Sequence, residues 1–390
     1  MKSLAIDPYR IFFPLGIFIG FAGVSVWPLL YFGLIQGYWG LSHAFLQSDG
    51  FLLCFIAGFL LTAIPRFTGT ENPSLISQLV IAIAVIAGAI FLEFQSYAIA
   101  QTLFFIAYVM LVVLVLARYA RRENNPPSTF PLIGFALITG LLGALVNMIA
   151  AWGWIDSGWV LAGKRSLTEG MTLMLVLGVG GFLGARLLGF DQFSFTQIGG
   201  AQTGVSKKLR SPGVLYILAG AIIFFSIAAE YGFGWEWMTF VRAAAATIVI
   251  AVTLMPWKLP VVRTTLAWCV WTANLLLLIG LWLVAFLPVY RIDMLHVMFI
   301  GGFTLLIFGV GMRVSLSHGG HGLSSEKKNW PLRIGLTCGA IAMLARAGAP
   351  FAPASYPMHL MLAGILWMVA LAIWGWRLLR LIIFTKRANG

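Results

Sequence analysis

Three histidines carry most of the chemistry this sequence can be read for. His43, His296 and His359 each stand near one end of a long apolar run. Imidazole is a common ligand of haem iron and of copper, and an ionisable side chain inside an apolar run marks a functional site by default. Each also has an ordinary explanation, as an interfacial histidine above a packing face. Gln47, Gly50, Cys54 and Gly58 share a helical stripe with His43, and small residues of this kind let membrane helices pack closely. Asp293 lies about one turn before His296 and is expected to orient its ring as a hydrogen-bond acceptor; Tyr356 stands in the same relation to His359. Met294, Met298, Met358 and Met361 flank these positions. Thioether sulfur suits Cu(I), although methionine is also ordinary packing material. Arg242, inside another apolar run, is expected to pair with a haem propionate or with Glu236 or Glu230, or to snorkel to the interface.

The elements that must position these residues are membrane helices. Of the 390 residues, 61% are hydrophobic and 9% charged, with a mean hydropathy of +0.95. That composition excludes a soluble domain and defines a polytopic, all-α membrane protein. About 20 apolar residues cross the hydrocarbon core. Twelve spans meet this criterion: 11–34, 44–65, 75–92, 97–117, 130–152, 169–189, 212–232, 237–256, 264–288, 292–312, 331–348 and 358–383. They form a single membrane domain over residues 1–390, and no loop is long enough for a separate soluble domain. The first run is too long for a signal-peptide core, so no cleavable signal is expected.

Basic residues orient the bundle. With the N-terminus inside, twenty Lys and Arg side chains fall in cytoplasmic segments, and four, Lys164, Arg165, Arg291 and Arg346, fall outside. Both termini are then cytoplasmic. The net charge of +13 records these cytoplasmic loops and not a nucleic-acid surface. This orientation puts His43, His296 and His359 at one depth, near the outer face, on helices 2, 10 and 12. Arg313–Lys328 reads as a flexible cytoplasmic loop, in which two intervening glycines separate His318 from His321.

Other chemistries lack a foothold. There is no Walker A, no HExxH, no GxSxG and no dinucleotide fingerprint. Cys54, Cys269 and Cys338 lie in apolar segments without CxxC spacing, so neither a disulfide framework nor a thiolate zinc site is expected. Helices 2, 6 and 10 end alike, in GFLLTAIPR, GGFLGAR and FGVGMR, which hints at an internal repeat four helices long.

Two blocks resemble the NnrS family of haem- and copper-containing membrane proteins linked to nitric oxide. The tail AGFLLTAIPRFTG of the block His43–Gly69 is similar to that family's AGFLLTA-P-x-W-T-G, which follows W-H-x-H-E-M-L-F-G-F. The block LHVMFIGGFTLLIFGVGMRVSLSHG, Leu295–Gly319, resembles its later H-x-x-x-x-G-…-M-x-R-x-S-L-G-H-x-G signature. Gly180–Arg186 and the final HLMLAGILWMVALAIWGWR fit more loosely, so the likeness spans nearly the whole chain. Aligned through Gly50, His43 takes the first family histidine. Phe45 stands for the second histidine, Leu46 for the glutamate and Ser42 for the tryptophan. The departure favours haem over copper. A fold-level analogy adds that haem-copper oxidases also have twelve core helices and hold a haem between helices 2 and 10.

The resemblance implies a multi-pass protein of the bacterial inner membrane, in contact with membrane lipid. It implies a haem b held by His43 and His296, with His359 and Arg242 close by. Nitric oxide or a similar small gas would be the partner, and the function would be nitric oxide metabolism or the response to nitrosative stress. Reduction of the gas, as in a nitric oxide reductase-like oxidoreductase, would also need an electron donor that the sequence does not identify. The competing classes are a secondary transporter, which predicts gradient-dependent flux and no bound chromophore, and a non-catalytic scaffold or sensor of a respiratory assembly.

Overall fold

The computed structural model describes residues 6–190, 212–319 and 329–384. Among these residues it contains twelve long helices and no strand. They are α1 (Tyr9–Tyr31), α2 (Gly40–Thr68), α3 (Leu75–Glu93), α4 (Tyr97–Ala120), α5 (Phe130–Ala151) and α6 (Trp159–Leu188). The remaining six are α7 (Pro212–Phe233), α8 (Met238–Leu254), α9 (Thr265–Phe286), α10 (Pro288–His318), α11 (Trp330–Gly348) and α12 (Tyr356–Ile383). Eleven are long and apolar enough to cross a membrane; α8 is apolar but has 17 residues. The chain is an all-α polytopic membrane bundle, as its hydropathy requires.

Three helices form the centre. The apolar windows of α2, α6 and α10 are 72%, 61% and 78% buried within the protein, against 50% or less for the other eight helices long enough to span. These three share a feature that periodicity does not announce. Each contains a π-helical segment about two turns in, at Leu46–Leu52, Ser166–Thr172 and Val297–Thr304. The extra residue per turn widens the helix and re-aims the side chains around it, and such segments recur at functional sites.

The first two thirds of the chain repeat in register. The π-helical segments of α2 and α6 are 120 residues apart, as are Asp49 and Glu169 within them. The left-handed glycines Gly33 and Gly153, and Gly69 and Gly189, keep the same offset. Each closes a helix where a side chain would be strained. The likeness of the helix ends in α2 and α6 therefore extends to turn geometry.

Two helices extend beyond the hydropathy reading. Helix α6 begins at Trp159, ten residues before the expected 169, because the polar stretch containing Lys164, Arg165 and Glu169 is helical and turned inward. Helix α10 runs from Pro288 to His318, so His318 ends a helix and does not sit in a loop. There it contacts Arg66 and packs edge-on against Tyr9, with ring centroids 5.7 Å apart. His321 lies outside the described residues.

The small stripe of α2 faces α1. Gly16 of α1 lies against Cys54 and Phe55, Gly20 against Phe51, and Gly23 against Leu46 and Gln47. In return, Gly50 and Gly58 of α2 lie against Ile19, Phe12 and Phe13 of α1. The stripe is a packing face, and the close approach it allows brings α1 backbone within reach of α2 side chains.

Candidate functional site

The three central helices enclose a cavity of about 420 Å3, closed by α1, α11 and α12. Their polar residues reach it from the turns just before or at the start of the π-helical segments. Helix α2 supplies His43, Gln47 and Ser48; α6 supplies Lys164, Arg165 and Thr168; α10 supplies His296. Arg346 of α11 and Tyr356 of α12 complete the polar rim. Thr304 of α10 also lines it, and the rest of the wall is apolar or aromatic, including Trp27, Phe51, Phe299 and Trp367.

The two histidines are fixed in the same way. His43 Nδ1 is 2.7 Å from the carbonyl oxygen of Gly23, and His296 Nδ1 is 2.7 Å from that of Ile292. A carbonyl only accepts, so each Nδ1 carries the hydrogen and donates it. The tautomer is then set, and Nε2 of each ring keeps its lone pair for a ligand-binding role. Among the described residues no protein partner satisfies either Nε2. Aromatic edges hold the rings: Trp27 lies 5.2 Å from His43 and Phe299 lies 5.6 Å from His296, centroid to centroid, both T-shaped.

Asp293 is placed differently from the expectation that it orients His296. It accepts hydrogen bonds from Arg346 and, at 3.1 Å, from the hydroxyl of Tyr356. A guanidinium outcompetes a neutral ring for a carboxylate, and His296 turns instead to the carbonyl one turn back. Tyr356 accordingly points to Asp293 and not to His359. His359 Nδ1 is 3.1 Å from the carbonyl of Ala345, and His359 does not line the cavity. The expected trio is thus a pair, His43 and His296. Among the described residues no group of three or more His, Cys, Asp or Glu is arranged to hold a metal ion.

Arg242 also lies away from the cavity wall, in a buried ionic network behind it. Its Nη2 donates to Glu169 and Glu230, each at 2.8 Å, and its Nη1 donates to Ser226 at 3.2 Å. Of the partners the sequence offered, Glu230 is the one it meets. Arg291 joins Glu169 at 3.2 Å and also contacts Glu230; Arg165 joins Glu169 at 3.1 Å. Burial requires such pairing, because an isolated ion in low dielectric is expensive.

The network is not balanced. Three guanidiniums (Arg165, Arg242 and Arg291) face two carboxylates (Glu169 and Glu230), which leaves one positive charge in excess. Lys164 lies on the cavity wall with its ammonium 5.6 Å from the Phe45 ring, and no carboxylate among the described residues pairs with it. The α6 side of the cavity therefore carries two uncompensated positive charges. Arg346, by contrast, is matched by Asp293.

Sequence reasoning missed Lys164 and Arg165, though a signal was present. Lys164, Arg165, Arg291 and Arg346 are the four basic residues that the charge pattern put on the outer side. All four belong to the cavity or to the network behind it. Cations that break the charge bias of a membrane protein are held for a reason.

A family model described as NnrS protein matches residues 4–386, nearly the whole chain. No curated protein matches the sequence.

Proposed function

The chain belongs to the NnrS family, and from that premise we propose that it carries a haem b in the cavity between α2, α6 and α10 and binds nitric oxide there. One observation carries the reading. His43 and His296, from helices far apart in sequence, line one cavity with Nδ1 of each tied to a carbonyl and Nε2 left as the donor atom.

Three further properties of the cavity fit the group. Its size and aromatic walls suit a porphyrin. The two uncompensated positive charges on the α6 side match the two propionates of a haem. A haem needs only one or two protein ligands to its iron, so a pair of histidines suffices where a bare copper ion would call for more donors. The proposal is therefore confined to haem. His43 and His296 would hold the iron, and Lys164 and Arg165 would hold the propionates. Arg242 and Arg291 would act at one remove, by keeping Glu169 from neutralising Arg165 completely.

Bound haem would supply an iron centre that takes nitric oxide in exchange for one of the two imidazoles. The chain supplies the rest. The Gly23 and Ile292 carbonyls keep both imidazoles in the ligating tautomer, and Phe51, Phe299 and Trp367 exclude water. The gas partitions into lipid, so an intramembrane site needs no polar entry. The basic end of the bundle, with Arg66, Arg118, Arg121, Arg122 and Arg380, would face the cytoplasm. The cavity would then lie toward the outer face, in the half of the bundle whose α5–α6 and α7–α8 connections carry the exposed Trp152, Trp154, Trp235 and Trp237.

The visible spectrum of the purified protein tests this. The expected result is a Soret band with b-type features in the reduced state, which shifts on addition of nitric oxide and is lost in His43→Ala or His296→Ala. A colourless protein from haem-sufficient cells would overturn the reading and leave transport as the next to examine.

A further inference from the structure

The carboxyls of Asp49 and Glu169 occupy the same position in the two repeated π-helical segments, LQSDGFL and SLTEGMT. Both are fully buried. Their surroundings are opposite. Glu169 meets three guanidiniums, whereas Asp49 meets none. Four carboxyls are buried among the described residues (Asp49, Glu169, Glu230 and Asp293), and Asp49 alone of these has no cation in contact.

The hydrogen bonds around Asp49 count its protons. Ser48 Oγ has two oxygen neighbours at bonding distance, the carbonyl of Ala44 at 3.0 Å and Asp49 Oδ2 at 2.7 Å. A hydroxyl has one hydrogen to give, and a carbonyl and a carboxylate can only accept. One hydrogen makes a full bond to only one of the two, so both contacts are fully formed when a second hydrogen sits on Asp49. The acid then donates to Ser48, and Ser48 donates to Ala44. A neutral acid is also what burial without a cation demands. Lys164 of α6 lies within electrostatic range of Asp49 without touching it, and Tyr108 of α4 and Cys54 of α2 are the other titratable groups nearby.

The pair opens on the cavity from one side. Ser48 is part of the cavity wall, while Asp49 lies behind it. On the far side Asp49 Oδ1 and the Tyr108 hydroxyl are both buried without a protein partner among the described residues. Unpaired buried polar atoms of this kind are where ordered water is found.

We propose that Asp49 is held as a neutral carboxylic acid and, through Ser48, is the group from which a proton enters the cavity. In the transfer, the Asp49 O–H bond breaks as Ser48 Oγ takes that hydrogen. The hydrogen Ser48 already carried swings from the Ala44 carbonyl to a basic atom of the cavity's occupant. The carboxylate left behind takes its next proton from solvent, as hydronium relayed through water against Oδ1 and the Tyr108 hydroxyl. No electron moves in this step. The protonation of Asp49 stands apart from the haem reading; its role as donor to a bound group rests on that reading.

Infrared spectroscopy of the full-length protein at neutral pH tests both parts. The wild type is expected to show the carbonyl stretch of a protonated carboxylic acid, displaced in D2O and by 13C-aspartate labelling. It should be absent from Asp49→Asn and moved but present in Asp49→Glu. No acid band in the labelled wild type, or an unchanged band in Asp49→Asn, would overturn the protonation. Because the labelled wild type needs no substitution, misfolding of a variant leaves the test intact. For the donor role, the band should shift when the haem-loaded protein is reduced by dithionite and given nitric oxide, and that shift should be lost in Ser48→Ala. A haem-loaded wild type whose acid band ignores both additions would overturn the role. In a protein without haem the acid band would still be read, so failure of the cofactor reading and failure of this one are distinct results.

Discussion

His43 donates its Nδ1 hydrogen to the backbone carbonyl of Gly23, 2.7 Å away on the neighbouring helix. The bond exists because residue 23 has no side chain. A Cβ built there would lie 2.8 Å from Cβ of Leu46, closer than two carbons pack. Gly23→Ala should therefore push α1 from α2, cost about 1–3 kcal/mol as other overpacking changes do, and release the His43 ring. Thermal unfolding in detergent reads the first effect. A lowered haem content at unchanged expression reads the second.

Arg242 is predicted to matter for stability and not for ligation. It pins Glu169 and Glu230 at 2.8 Å each inside the bundle. Arg242→Met removes the cation and leaves two carboxylates to Arg165 and Arg291, at a cost of about 3–5 kcal/mol. Adding Glu230→Gln should recover part of that loss, since the two residues share one network. A double-mutant cycle on melting temperature checks this; strictly additive losses would refute the coupling.

Lys164 should govern retention of the cofactor without changing its iron ligands. A charge-assisted hydrogen bond to a propionate contributes about 1.5–3 kcal/mol, so Lys164→Ala is expected to speed haem loss to apomyoglobin by about ten- to a hundredfold. The Soret position should stay where the wild type has it. A displaced Soret band would mean that Lys164 acts on the iron itself.

Arg346 and Tyr356 both bind Asp293, but they are not equivalent. Tyr356→Phe removes one neutral hydrogen bond, about 1 kcal/mol, and leaves the ion pair. Arg346→Ala strands a buried carboxylate and should cost about 3–5 kcal/mol. Asp293→Asn combined with Arg346→Ala should restore much of the loss. Melting temperatures of the three variants decide it.

The chain's own order of residues determined a good deal. Apolar length gave twelve helices, most with bounds within a few residues of those found, because the thickness of a bilayer fixes how long a membrane helix must be. Small residues at helical spacing marked the face that α2 turns to α1. The four cations against the charge bias stood in plain view, although their inward direction was not legible. Lys164 and Arg165 read as a polar loop because hydropathy cannot tell a residue in water from one in a polar cavity.

The tertiary structure decided which residues meet. His43, His296 and His359 are alike in sequence context, yet only the first two line the cavity. Arg242 and Lys164 are both basic residues in or beside apolar runs, yet one is locked in an ion network and the other faces the cavity. Periodicity fixes the depth and the face of a side chain along its own helix. It does not say which helix lies opposite, since lipid and protein present equally apolar surfaces to a membrane helix. The π-helical turns of α2, α6 and α10 compound this, because each re-aims the residues on either side of it by an amount that no hydropathy pattern records.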